Sequence, residues 1–466
     1  MTAPSVRPDV PTGAARTDEQ LRELLRAAAP KHDVPGAVLA VSHGGERFAG
    51  AYGVANSRAH LEMTTDTLIP VGSFAKVWTA VLVMQLVDEG VVDLDDPIRR
   101  HLPEFVLADA KAAERVTIRH LLTHTGGFYG DSFEDFGPGD DAPARYVAAL
   151  ERAAQLHEPG ELFSYCNAGF IVLGHLVAKV RGGTWEEQIR SRVMRPLGLR
   201  DVALNGDEAV LFRNSVGHVV TSGRPRIVPR WESLRCGSAA GAMLRMSAES
   251  ALTFCEAHVR QGRGANGKTL LSARSTAAMH HDWVDVPGST LSDQWGIGWA
   301  LWDWDGSVAF GHDGEFRGQA ILIRNVAEHH LTVVLAVNGG RAREMYDDVV
   351  PALIEQLTGV RAPRTPGLPR DPTPVDARRY AGTYQGPDCQ YTVTPAPDGR
   401  TLLVTTTDPR KPQGHEDGSP DHYVRLAGDT FIQKSHKRGT DRILSFVGDD
   451  HGVAVYLHNS RAYARA

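Results

Sequence analysis

The 466-residue chain holds only four cysteines, Cys166, Cys236, Cys255 and Cys389. None forms a Cys-x-x-Cys pair, so zinc knuckles and dithiol redox motifs are not suggested. So few thiols over such a length do not make a disulfide scaffold, and free buried cysteines are expected. Net positive charge is lacking too. The formal charge of -6 argues against a nucleic-acid binder driven by general electrostatics. No apolar run approaches the length of a membrane span. The opening residues, Met1-Thr2-Ala3-Pro4-Ser5-Val6-Arg7-Pro8, have no apolar stretch of signal-peptide length, so a cytoplasmic protein is expected. Metal motifs are missing as well. Val92-Asp93-Leu94-Asp95-Asp96-Pro97 lacks the alternating ligands and distal glutamate of a calcium loop. His120 and His124 have a zinc-compatible spacing, but position 121 is leucine where HExxH has its glutamate. These two histidines are expected to pack and anchor a loop. His280-His281-Asp282 is likewise set aside as a metal site, and no cofactor is expected.

What is present reads as a globular protein, with 42% hydrophobic and 23% charged residues, longer than one core usually holds. Residues 1–17 read as a flexible arm. Residues 18–29 form an amphipathic helix, and 36–41 with 47–53 a hairpin. A helix apolar nearly all round runs from Ser73 toward Gly90, which suggests burial at the centre of a domain. Further helices are expected near 117–124, 146–156, 167–177, 185–193, 248–261 and 349–357. Strands are expected at 295–302 and 308–314, turning at Asp305-Gly306, and at 319–324 and 331–338. Trp295, Trp299, Trp302 and Trp304 are read chiefly as core or edge packing. Five prolines between 361 and 374 mark a linker. Beyond it, segments 391–394, 402–405, 430–432, 443–446 and 453–456 read as strands of a small all-β module over 375–466.

Three short patterns carry chemistry. Ser73-Phe74-Ala75-Lys76 puts a hydroxyl and an amine on one face of a helix, a nucleophile beside a potential base. Tyr165-Cys166-Asn167 precedes an apolar helix, and His312-Asp313-Gly314 closes a strand. Alone, each has a plainer reading: Ser73 as a helix cap, Tyr165 as a packing residue, Asn167 as a cap, His312 as a space-filler. Cys166 reads as a small buried side chain.

In this order the three patterns resemble the serine β-lactamase and penicillin-binding-protein superfamily, in particular its class C-like branch of esterases, D-aminopeptidases and penicillin-binding-protein-type thioesterases. His120-Leu121-Leu122-Thr123-His124-Thr125-Gly126-Gly127, Pro196-Leu197-Gly198-Leu199 and Gly296-Ile297-Gly298-Trp299 add to the likeness, which covers about residues 18–360. The resemblance implies an α+β fold, an antiparallel sheet flanked by helices plus an all-helical lobe. The segment after 374 looks like the small lipocalin-like barrel that some of these hydrolases carry. It is expected to cap the cleft.

The resemblance also implies roles. Ser73 would attack a carbonyl, Lys76 would be its base, and Tyr165 would relay a proton. His312 would orient or carry one. The backbone N–H groups of Ser73 and Glu315 would form the oxyanion hole. Asn167 would bond the substrate amide or the Lys76 amine, and Asp313 and Gly314 would line the substrate site. Penicillin-recognising members usually carry Lys-Thr-Gly where this chain has His312-Asp313-Gly314. That departure disfavours β-lactam hydrolysis and favours esters, amides or thioesters, with Arg317 as a candidate replacement cation. The expected activity is serine hydrolysis or acyl transfer on a small-molecule or peptide substrate. Release or cyclisation of a nonribosomal peptide, with a peptidyl carrier protein as partner, is the alternative. A catalytically idle binding or sensor protein is the non-enzymatic one.

Overall fold

The Asp305-Gly306 turn behaves as its residues require. In the computed structural model both have positive φ, 53° and 87°, and Trp304 lies opposite Ser307 across a two-residue hairpin. The structure describes residues 17–466 apart from 133, 222, 231–233, 282, 290, 364–365, 409–419 and 436–442. The expected arm, except for its last residue, lies outside the described residues, as do Asp282 and two linker positions.

That hairpin belongs to an antiparallel sheet. Its order is Leu61–Glu62, Glu46–Asn56, Gly36–His43, Leu331–Val337, Gln319–Val326, Ser307–Gly311, Ala300–Trp304, Gln294–Trp295, Val284–Asp285. Side chains alternate between its faces as strand geometry demands. Leu331, Val333, Leu335 and Val337 face the first helix, Asp18–Ala28, and the last long one, Ala342–Thr358. Val334 and Ala336 face the helix Ala248–Val259 and share one apolar core with the helix Ala75–Asp88 and the helical lobe. The Ala75–Asp88 helix is buried from Ala75 to Leu86, which is why its sequence is apolar all round. Trp78 stacks on Phe254 at 4.4 Å. Trp295, Trp299 and Trp304 are core residues. Cys166, Cys236 and Cys255 are buried and form no disulfide.

Several expected elements shift. The 117–124 helix stops at Leu122, because His124 takes a left-handed conformation, φ 58°. The 146–156 helix lies earlier, at Ala142–Ala149. The 185–193 helix is Trp185–Ile189 followed by a π turn over Arg190–Met194. After the prolines, eight antiparallel strands from Gly382–Gln385 to Ala462–Arg465 close into a barrel, with Tyr384 opposite Arg465 at the seam. The 453–456 strand is corrected: Asp450 and Val453 pair in a tight turn, and the strand is Tyr456–His458.

Glycines let the sheet touch the head of the Ala75–Asp88 helix. Gly314–Phe316 is a short strand paired only with Gln319–Val326, and its other edge lies against the turn Gly72–Phe74. A Cβ on Gly314 would stand 1.8 Å from the Val71 carbonyl oxygen. Gly72 has φ 50°, and its Cβ would meet the Glu315 nitrogen at 2.6 Å. Gly314→Ala is therefore expected to force the strand off the turn. Unfolding should show a loss of at least about 1–3 kcal/mol, and labelling of Ser73 by a fluorophosphonate should fall with it.

Candidate active site

Ser73 sits in a turn of 3-10 helix, and Lys76 one turn on. The Lys76 Nζ donates to Ser73 Oγ at 3.1 Å and to the Ala240 carbonyl at 2.6 Å. The amine is fully buried. Burial lowers its pKa to about 7. Asp131 and Cys166 pull it back up, and Arg461 pushes it further down. Near neutral pH a large share of Lys76 is therefore an uncharged amine with a lone pair. Tyr165 stands next to it, with its ring centroid 5.0 Å from Nζ. Burial raises the phenol's pKa, while a hydrogen bond with Ser73 pulls it down. Tyr165 is thus a neutral phenol, and Lys76 is the group able to take the Ser73 proton.

An aromatic wall fixes the phenol. His124 stacks on Tyr165 at 4.1 Å, and Trp295 meets the Tyr165 ring edge-on at 5.6 Å. His124 Nδ1 accepts from the Cys166 N–H at 3.0 Å, and the His124 carbonyl accepts from Ser164 N–H at 2.8 Å. The His120–Gly127 segment is thus a brace for the Tyr-Cys-Asn loop. His120 caps its own helix, its Nδ1 accepting from Thr117 N–H. Among the described residues no cluster could hold a metal ion. Burial pushes the Cys166 thiol up to about 12, which leaves it a neutral packing group rather than a second nucleophile.

The third motif divides between the two faces of the sheet. His312 faces the site: it packs edge-on to Trp295 at 5.3 Å, and its Nδ1 donates to the Asp313 carbonyl at 2.7 Å. Burial and the Lys76 charge hold it to about 3. It is therefore a neutral imidazole at working pH, an orienting group rather than a cationic acid. Asp313, in the short link between the strands Ser307–Gly311 and Gly314–Phe316, points the other way. Its carboxylate is held by Arg324 at 2.5 and 3.1 Å and by Arg343. This corrects its expected place in the substrate site: Asp313 anchors the motif from behind. The two guanidiniums overcome burial and hold it well below the usual carboxylate range.

The register sets the direction of the Glu315 N–H. Phe316 and Gln319 close a two-residue hairpin whose turn residues, Arg317 and Gly318, have φ 46° and 80°. Glu315, opposite Ala320, is then a non-hydrogen-bonded pair. Its N–H points away from Gln319–Val326, to the edge that meets Gly72 and Ser73.

Asn167 is the first residue of helix Asn167–Arg181, and its side chain does not cap it. Its Nδ2 donates to Asp131 Oδ1 at 2.6 Å. The Lys76 amine takes the Ala240 carbonyl instead, so the expected Asn167–Lys76 bond is replaced. A cavity of about 290 Å³ opens beside Ser73, with Tyr146, Asn167, Ile171, Leu234 and Cys236 in its wall and Arg317 at its exposed rim. Sequence reading missed the Ala240 carbonyl, Asp131 and the Tyr146–Cys236 wall. No local pattern marks a carbonyl, and none ties residues so far apart in the chain to one cleft.

A serine that can lose its proton to a neutral amine is equipped to attack a carbonyl and hold the ester it forms. With this fold, the class is that of serine hydrolases working through an acyl-enzyme. The chain belongs to the Beta-lactamase family, whose model matches residues 17–355. It is 38% identical over 370 residues to penicillin-binding protein 4 of Amycolatopsis lactamdurans, covering 78% of this chain and 96% of that protein. It is 33% identical over 232 residues to esterase EstB of Burkholderia gladioli, covering 46% of this chain and 58% of that one. The crystal structure of SurE superposes with a TM-score of 0.78 at 28% identity, covering 96% of this chain and 99% of that chain.

Lys76 must lose its proton to act. Acylation of Ser73 should therefore rise with pH through a midpoint near 7, and Lys76→Met should remove that limb with the activity, in a stopped-flow or probe-labelling profile. Asp313→Ala leaves Arg324 buried without its counter-ion. A loss of about 3–5 kcal/mol is expected in chemical denaturation.

Proposed function

We propose that the protein is a serine hydrolase or acyltransferase whose donors are peptide-like esters, amides or thioesters. The observation that carries this reading is the Ser73–Lys76 hydrogen bond to an amine held near neutrality by burial. Lys76 takes the Ser73 proton as Oγ attacks, and the ester forms as the leaving group departs. Tyr165, still a phenol, passes a proton to that group and later draws one from the acceptor, and Lys76 returns its proton to Ser73 Oγ as the ester breaks. The N–H groups of Ser73 and Glu315 receive the developing oxyanion. Losing one such donor costs about 10²–10³ in rate in comparable sites. Asn167 keeps its carbonyl for the substrate amide while Asp131 holds its N–H group. The apolar cavity takes the acyl side chain, and Arg317 meets an anionic end of the donor.

The structure of SurE has also been solved with D-Leu. From that likeness we extend the reading to a D-configured residue at the acyl terminus. Buried thiols outside any disulfide, at Cys166, Cys236 and Cys255, fit a reducing compartment, and we assign the enzyme to the cytoplasm. A second reading, cyclising release of a nonribosomal peptide from a peptidyl carrier protein, is favoured by the barrel. Its last hairpin covers the Tyr165 segment, and a drier acyl-enzyme favours an amine over water as acceptor.

A fluorophosphonate probe followed by mass spectrometry should place one adduct on Ser73. A folded wild-type protein without it would sink the proposal. An ester, a D-alanyl anilide and a peptidyl thioester assayed side by side separate the two readings. Cyclic product exceeding hydrolysed acid from the thioester selects the second. Arg317→Ala should weaken the preference for free-carboxylate substrates, seen as a rise in KM for those alone.

A further inference from the structure

The barrel grips the catalytic domain at one stretch above all, Glu161 to Tyr165, the irregular segment that delivers the phenol. Tyr456 donates its hydroxyl to Glu161 Oε1 at 3.1 Å. His458 Nε2 donates to the Phe163 carbonyl at 2.9 Å, and the Ala462 N–H to Ser164 Oγ at 3.2 Å. The Tyr165 N–H donates to the Ser460 carbonyl at 2.9 Å. Backbone groups that lack sheet or helix partners must find others when buried. This segment divides its own between the His124 brace and the barrel.

The strands making these bonds, Tyr456–His458 and Ala462–Arg465, are joined by the turn Asn459-Ser460-Arg461, which supplies the Ser460 carbonyl. Ser460 is held at φ 71° there, a conformation costly for a residue with a Cβ. From this turn Arg461 Nε reaches Asp131 Oδ2 at 2.6 Å. Asp131 in turn holds Asn167 with its other oxygen. The Arg461 guanidinium also lies 5.1 Å from the Tyr165 ring centroid.

We infer that Arg461 is a positioning residue of the Ser73 site, supplied by the barrel, which fixes Asn167 through Asp131 and the Tyr165 segment through its own turn, so that the catalytic domain is incomplete without the barrel. The inference rests on the serine acyl-enzyme reading. It makes the barrel part of the site rather than only a cover over it.

The pair has a signature that plain packing lacks. The groups facing Lys76 are Tyr165 and Cys166 from the loop, His124 from the brace, His312 from the sheet, Asp131, and Arg461 from the barrel. Of these, Asp131 raises the Lys76 pKa and Arg461 lowers it. Removing Arg461 leaves Asp131 uncompensated, so the acid limb of Ser73 acylation moves to higher pH. Removing Asp131 leaves Arg461 uncompensated, and the limb moves to lower pH. The fluorophosphonate labelling rate of Ser73 against pH reads this without knowing the substrate.

Arg461→Gln is expected to move the midpoint up by about half a pH unit or more, and Asp131→Asn to move it down by a similar amount. The double variant should return it close to wild type, while all three label more slowly on the plateau. Arg461→Lys, which keeps the charge and loses the planar contact, should hold the midpoint near wild type and recover only part of the plateau. Midpoints that stay in place in folded single variants, or that move the same way in both, overturn the inference while leaving Ser73 as nucleophile. A folded wild type that takes no label overturns both.

Discussion

Lys76 is an amine placed where water cannot reach it, and much of the molecule is arranged to keep it there. A lysine at the surface is protonated near pH 7 and is no base. Removing its hydration shell penalises the charged form and leaves a lone pair beside the serine. That requires an apolar helix buried on all sides, so the Ala75–Asp88 helix lies between the sheet and the helical lobe rather than on the surface. The same burial serves the phenol in the opposite sense. It keeps Tyr165 protonated. In the reading we propose, base and relay therefore do not compete for one proton, because the charged forms of the two groups differ in sign.

Closeness of backbones is the second requirement. The Ser73 and Glu315 N–H groups, which we propose as the oxyanion donors, come from the head of a helix and the edge of a strand. They meet only if nothing stands between those two elements. Gly72 and Gly314 remove the Cβ atoms that would otherwise do so. Behind that edge, Asp313 with Arg324 and Arg343 ties the strand to its neighbour and to the last long helix. The His-Asp-Gly pattern is therefore one motif with two outlooks: an imidazole toward the chemistry and a carboxylate into the opposite core.

The barrel contributes through hydrogen bonds to a segment that has no regular partner of its own, and through the Arg461–Asp131 pair. A loop carrying a proton relay must be held within a fraction of an ångström. Here the His124 brace holds it on one side and the barrel turn on the other.

The sequence alone determined the apolar helix with its Ser-x-x-Lys head, the two other motifs, the Asp305-Gly306 hairpin, the proline-rich linker and five strand segments beyond it, four of them placed correctly. All of these are local signals: a period, a turn pair, a spacing. It also showed the departure at His312. Only the tertiary structure decided that Asp313 turns away from the cleft, that Asn167 bonds Asp131 rather than Lys76, and that Ala240 offers its carbonyl to the amine. It alone brought Arg461 to Asp131 across 330 positions. Chain reversal and domain docking set these contacts. Each depends on where distant segments come to rest, which no window of neighbouring residues records.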